Sequence, residues 1–178
     1  ENNFLKDFKS LSKNKKEKFV SQIFSNVADN YDLMNDLMSF GLHKSWKEKL
    51  VSLINVDKES YVLDLASGSG DLTKLLKDKV DCNCLIYDSN IEMLKNAKKK
   101  IKNAQIISGK AENLPFKNDS FDYVVYDEIH MIDKYKSYEN LIRCFNCNFL
   151  ALSATIENID YLKDIFQNIH LDKKIEYI

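Results

Sequence analysis

Proline occurs once and glycine four times in 178 residues. Neither a linker nor an internal repeat is visible, and the length suits one domain with a real core rather than two. No apolar run approaches the length that spans a bilayer, so no transmembrane helix is expected. No secretory signal is visible, and the chain opens at Glu1 without Met, which allows for a leader removed by processing. The formal net charge is only -1, so nothing points to a general polyanion binder and no nucleic-acid partner is expected. Cysteine is limited to Cys82-x-Cys84 and Cys144-x-x-Cys147. The first pair is too tight for a zinc knuckle, so the expectation is reduced, buried thiols and no metal. No G-x-x-x-x-G-K-[ST] phosphate loop exists anywhere in the chain.

What is present divides near residue 58. Before it, apolar residues recur at helical spacing. Phe19, Val20, Ile23, Phe24 and Val27 form one set, and Leu33, Met34, Leu37 and Met38 another that Gly41 ends. A third helix over 43–54 aligns Trp46, Leu50, Leu53 and Ile54, which predicts core packing for that side. The lysines at 13–18 and 98–102 read as solvated helix faces.

From Tyr61 the pattern alternates. "YVLDLAS" predicts a strand and 72–80 a helix; "CNCLIYD" predicts a second strand. Ser89-x-x-Glu92 is a capping box that opens a helix carrying Ile91, Leu94, Ala97 and Ile101. "AQIISG", "FDYVVYD" and "NFLALSAT" are further strands, with helices expected over 138–145 and 159–169 and a possible sixth strand in "KKIEYI". Continuous apolar strands alternating with helices predict an α/β fold, a mainly parallel Rossmann-like sheet with helices on both faces. The expected layout is one domain over 1–178, with a helical lid over 1–58 and the α/β core over 59–178.

Two of the four glycines, Gly68 and Gly70, fall in "LDLASGSGDLT" between the first strand and its helix. A turn there brings backbone close to a ligand at the carboxyl end of the sheet. Asp64 closes the first strand, and Asp88 closes the second, where such folds place an acid for ribose hydroxyls. With Asp64 opening the motif and Ala66 in place of the usual first glycine, the turn favours S-adenosylmethionine over a nicotinamide dinucleotide.

The stretches "FSNVADNYDLMNDLMSFGLHKSWKE", "LDLASGSGDLT", "DSNIEMLKNAKKK" and "GKAENLPFKNDSFD" together resemble the ubiquinone/menaquinone-biosynthesis C-methyltransferase family, often called UbiE, over roughly residues 15–125. The resemblance implies an S-adenosylmethionine-dependent enzyme that methylates an aromatic carbon of a small-molecule polyprenyl quinol. It implies at most peripheral membrane contact, in the cytoplasm or on the matrix side of the mitochondrial inner membrane, with the oligomeric state open. It places Ser69 as the hydroxyl beside the cofactor, Asp88 on the ribose, and Lys110 and Ala111 beside the adenine. Ala66, Gly68, Gly70 and Asp64 belong to the same site, and Ser67 replaces a glycine usual in the family. On the lid, Tyr31, Asp32, Asn35, Asp36 and His43 are candidates for the substrate side, with His43, Tyr31 and Asp36 as possible catalytic groups. His43 is the candidate base by its intrinsic pKa.

After Phe121 the family pattern changes. "YVVYDEIHMID" and "FLALSATIEN" resemble the Walker B and Ser-Ala-Thr motifs of a superfamily-two helicase, which implies a chimeric chain with its seam near 121–127. The family's quinol-binding region beyond the fifth strand is expected to be missing, which puts turnover in doubt. In the helicase alternative, an ATP-binding fragment, Asp127 and Glu128 would hold magnesium and activate water, while Ser153 and Thr155 would couple hydrolysis to movement. That alternative lacks a Walker A lysine, and its only arginine is Arg143. A non-catalytic α/β module is the third expectation. Under the methyltransferase reading Asp127 sets a carboxylate beside the cofactor pocket.

Overall fold

The computed structural model describes residues 42–127 except 112 and 118, residues 147–152, and single positions at 12, 15, 16, 18, 22, 26, 160, 164 and 167. Five strands form one wholly parallel sheet: β1 (Tyr61–Leu65), β2 (Asn83–Asp88), β3 (Gln105–Ser108), β4 (Tyr123–Asp127) and β5 (Asn148–Leu152). Their spatial order is β3-β2-β1-β4-β5. The order runs outward from β1 in both directions, so the β1/β4 boundary is the topological switch point, where open α/β sheets bind ligands. Three helices are described: α1 (Leu42–Leu53), α2 (Asp71–Lys79) and α3 (Ile91–Lys100). The parallel Rossmann-like sheet is therefore as the alternating pattern predicts.

The central strands are apolar on both faces because both are covered. Val62, Cys84 and Val125 face Leu50, Val51 and Ile54 of α1 and Leu72 and Leu76 of α2. Beside them Ile86 meets Leu94 and Ala97 of α3 and Ile101. Leu63, Leu65, Leu85, Tyr87, Val124 and Tyr126 pack on the opposite face, against Leu114, Phe116 and Phe121 of the β3–β4 connection. Phe116 sits edge-on between the rings of Tyr87 and Phe121, with centroids 5.5 and 5.2 Å away.

Three local expectations change. The face of α1 against the sheet is Lys47, Leu50, Val51 and Ile54, whereas Trp46 is 42% and Leu53 45% exposed. Leu50 and Ile54 pack as expected, but Val51 and Lys47 rather than Trp46 and Leu53 complete the face against the sheet. The cap of α3 is Asn90 rather than Ser89, since the Asn90 side chain accepts from the Glu92 and Met93 amides at 3.0 and 3.3 Å. With the helix starting one residue later, Ile91 lies 59% exposed. Cys82, Cys84 and Cys147 are free and buried, as the sequence predicts, with the Cys82 and Cys84 sulfurs 3.5 Å apart. Burial pushes the Cys84 thiol well above its ordinary pKa.

The helix expected over 138–145, the strand in "KKIEYI" and the segment around Leu33–Met38 lie outside the described residues. Positions 22 and 26 are helical within the first expected helix and 15, 16 and 18 are helical just before it, while 160, 164 and 167 are helical within the last.

The turn between β1 and α2 places Ala66, Gly68 and Gly70 in the left-handed region, at φ 54°, 55° and 78°. A Cβ on Gly70 would stand 2.9 Å from Ile101 Cδ1 and 3.2 Å from Ala97 Cβ, so this glycine lets α3 close over the start of α2. A Cβ on Gly68 would meet nothing within 4 Å. Gly70→Ala should therefore cost about 3 kcal/mol, from backbone strain plus overpacking. Gly68→Ala should cost only the strain, about 1 kcal/mol. Urea unfolding of both variants checks this; equal losses would contradict it.

Candidate functional site

The site is built on the end of β2. One Asp88 oxygen accepts the Gly68 amide at 2.8 Å and the other the Asn90 amide at 2.7 Å. The Asp88 carbonyl accepts the Gly109 amide at 2.9 Å, and the Tyr87 carbonyl accepts the Ser67 amide at 3.3 Å. The glycine turn, the start of α3 and the β3 exit loop thus converge on two residues. A carboxylate has about four acceptor positions, so two backbone bonds leave Asp88 able to take hydroxyl donors.

The loop bearing Lys110 and Ala111 is set by Tyr87, which the strand pattern marks only as an apolar position. The Tyr87 hydroxyl donates to the Lys110 carbonyl at 3.2 Å, and a Cβ on Gly109 would collide with the Tyr87 ring. Lys110 is exposed and Ala111 half-buried, and both stand beyond the carboxyl end of β3.

The expected cofactor residues occupy two layers. Asp64 is 1% and Ser69 3% exposed, both turned into the fold. Asp64 Oδ2 accepts the Thr73 amide at 3.1 Å and the Thr73 hydroxyl at 2.7 Å, so this carboxylate fastens the first turn of α2 to β1. The Ser69 hydroxyl accepts from Lys100 Nζ at 3.2 Å and donates to Asp71 at 3.4 Å. Ser67 differs: its Oγ is buried and, among the described residues, has no hydrogen-bond partner. Its neighbour in sequence, Gly68, has open space where a Cβ would stand. "ASGSG" offered this hydroxyl in the sequence, where it registered only as a departure from glycine.

At the β1/β4 boundary stands a charge cluster. Lys47 Nζ lies 3.4 Å from Asp71 Oδ2 and 3.4 Å from Asp127 Oδ2. Lys100 closes on the other Asp71 oxygen at 2.6 Å. Burial works to lower the Lys47 pKa, but the Asp127 and Asp71 charges outweigh it and hold the ammonium above its ordinary value. Burial likewise raises Asp71, yet the Lys100 hydrogen bond and the two ammonium charges bring its carboxyl below the ordinary range. Asp127, the magnesium ligand of the helicase alternative, is thus ion-paired with Lys47 at the end of β4. Lys47 and Asp71 were not singled out in the sequence, and Lys100, expected with 98–102 on a solvated face, is instead part-buried against Asp71 and Ser69; a lysine three residues before Leu50 on the apolar stripe was the available signal for Lys47.

His43 falls in the first turn of α1, one helical turn before Lys47. Tyr31, Asp36, Glu128, Ser153 and Thr155 lie outside the described residues.

The sequence pattern of the ubiE/COQ5 methyltransferase family matches residues 11–148. The chain is 39% identical over 175 residues to the ubiquinone/menaquinone biosynthesis C-methyltransferase UbiE of Rickettsia rickettsii (strain Sheila Smith), covering 90% of this chain and 70% of that protein. The corresponding enzyme of Rickettsia akari (strain Hartford) is also 39% identical with the same coverage. Both matches continue beyond the seam expected at 121–127 and the limit near 125. Among solved structures, the Haloferax volcanii complex of the Trm112 methyltransferase activator with a methyltransferase aligns with a TM-score of 0.65 at 19% identity, over 82% of this chain and 75% of that one. Haemonchus contortus phosphoethanolamine N-methyltransferase 1, solved with phosphoethanolamine and S-adenosylhomocysteine, aligns at 0.63 and 17% identity, over 75% of this chain and 29% of that one. These structural likenesses concern the fold.

Burial raises the Asp64 pKa to about 7, against the pull of the two Thr73 donors and of Lys47. An unfolded Asp titrates near ~3.9. Between these values the folded chain keeps a proton that the unfolded chain releases, so this residue makes stability fall as pH rises from about 4 to about 7 and level off above. The unfolding free energy of the wild type relative to Asp64→Asn should drop across that window by a few kcal/mol, about 1.4 kcal/mol for each pH step of one within it. Urea titrations between about pH 4.5 and 8 measure it, and a flat difference would mean that Asp64 stays ionised throughout.

Proposed function

The chain belongs to the ubiE/COQ5 methyltransferase family, and from that premise we propose that it binds S-adenosylmethionine over the glycine turn and methylates an aromatic carbon of a polyprenyl quinol. The observation that supports the cofactor half is the left-handed glycine turn, open at Gly68 and tied to the Asp88 carboxylate at the carboxyl end of the sheet. When bound, S-adenosylmethionine supplies an electrophilic methyl group on a sulfonium. The chain's own residues position and desolvate. Gly68 and Gly70 keep the turn in left-handed geometry, which lets backbone amides approach. Asp88, already fixed by Gly68 and Asn90, receives the ribose hydroxyls on its remaining lone pairs. The Lys110–Ala111 loop, held by Tyr87, flanks the adenine.

Methylation at carbon needs a ring activated by loss of its hydroxyl proton, and otherwise alignment of carbon, methyl and sulfur. We assign proton acceptance to His43, whose place one turn before Lys47 puts it on the helix that runs over the β1/β4 edge. The quinone-biosynthesis substrate is taken from the Rickettsia relatives, whose names carry it. Access from a membrane surface would be peripheral, and among the described residues no helix is long and apolar enough to cross a membrane.

Calorimetric titration with S-adenosylhomocysteine should give saturable binding that Asp88→Ala lowers at least about tenfold, the loss expected for charge-assisted hydrogen bonds. No binding by cooperatively folded protein would overturn the cofactor assignment. His43→Gln should leave that affinity intact and cut quinol methylation by roughly a hundredfold or more. Undiminished turnover in this variant would move the base elsewhere.

A further inference from the structure

Tyr87 sits one residue before the end of β2 and is 2% exposed. Its ring packs in an apolar cluster with Leu65, Leu85 and Val124, a place that phenylalanine would fill without taking a polar group out of water. The hydroxyl reaches two backbone carbonyls of one turn, that of Lys110 at 3.2 Å and that of Asn113 at 3.4 Å. The Asn113 amide closes the turn on the same Lys110 carbonyl at 3.0 Å. Gly109 makes room for this approach, since a Cβ there would collide with the Tyr87 hydroxyl and ring. Unlike Gly68 and Gly70, it lies outside the left-handed region. Its missing side chain therefore serves the approach of Tyr87 and not a turn conformation. Tyrosine at 87 and glycine at 109 answer to one contact.

A carbonyl held on one side aims the amide on its other side. The Lys110 carbonyl and the Ala111 N–H belong to a single planar trans peptide unit, in which they point in opposite directions. With the carbonyl turned toward the Tyr87 hydroxyl, the Ala111 amide is turned away from it. Among the described residues that amide has no hydrogen-bond partner. It is a donor of fixed direction on the loop beyond the carboxyl end of β3.

We propose that Tyr87 is a positioning residue for base recognition: by gripping the Lys110 carbonyl, its hydroxyl aims the Ala111 amide at a ring nitrogen that carries a lone pair, N1 of the adenine. The inference rests on S-adenosylmethionine being the cofactor and on its adenine lying beside this loop. Tyr87, buried beneath the turn, acts through the peptide unit and not by touching the ligand.

The test is calorimetric titration of the full chain with S-adenosylhomocysteine and with its 1-deazaadenine analogue, in which a C–H replaces the N1 lone pair and nothing else changes. The unmutated chain should bind the analogue about tenfold more weakly. Tyr87→Phe keeps the ring and releases the carbonyls. It should bring the two ligands within about threefold of each other, by weakening S-adenosylhomocysteine while the analogue stays within about twofold of its unmutated affinity. Retained binding of the analogue also certifies that the variant is folded. Equal losses for both ligands would reveal a merely structural hydroxyl and overturn the inference. So would a tenfold gap that survives in the variant, or no gap in the unmutated chain. If the unmutated chain binds neither ligand, the cofactor assignment itself fails, and this inference with it.

Discussion

Both oxygens of the Asp88 carboxylate accept backbone amides, one from Gly68 in the turn after β1 and one from Asn90 at the start of α3. Those contacts tie the glycine turn and the start of α3 to the end of β2. The turn can hold three left-handed positions within five residues only if something pulls its backbone toward β2, and Asp88 does so. The same carboxylate orients Asn90 to cap α3, whose Ala97 then packs beneath Gly70. The site's anchor and the helix's start share one side chain, so loss of Asp88 would disturb geometry as well as remove an acceptor.

Charge is sorted by depth across the carboxyl edge. Asp64, fully enclosed under α2, is pushed by burial toward its neutral form. Asp71, nearer the surface and between two lysines, is held ionised. Lys47 stays charged because carboxylates outweigh its desolvation. A bound ligand meets the outer, ionised layer, while the protonatable group stays in the structural layer fastened to Thr73. Titration of Asp64 is therefore a matter of folding before it is one of ligand binding.

The strands and the order of elements were legible because period and composition change abruptly at Tyr61, and because parallel strands buried on both faces must be apolar throughout. Asp88 and the glycine turn were legible because their spacing is set by the length of one βαβ unit. Lys47 was not, because periodicity grades positions by hydrophobicity and a lysine on a core stripe reads as an interruption. Choosing between the Trp46 and Lys47 stripes needed the sheet itself. Tyr87 was hidden for the opposite reason: it sits among apolar strand neighbours, and its hydroxyl acquires meaning only when Gly109 and Lys110 come beside it. The Asn90 cap shows how two adjacent polar residues leave a helix start undecided until backbone geometry selects one.

Trp46 is the only tryptophan in the chain, stands 42% exposed, and adjoins Lys47 on α1. That makes it an optical gauge built into the protein. Its indole is partly exposed on the very helix whose ammonium touches Asp127, with no second indole to dilute the signal. A shift of α1 as small as the closure of one ion pair would change the solvent around that ring, so the chain carries its own dye at the edge of the pocket it would report on.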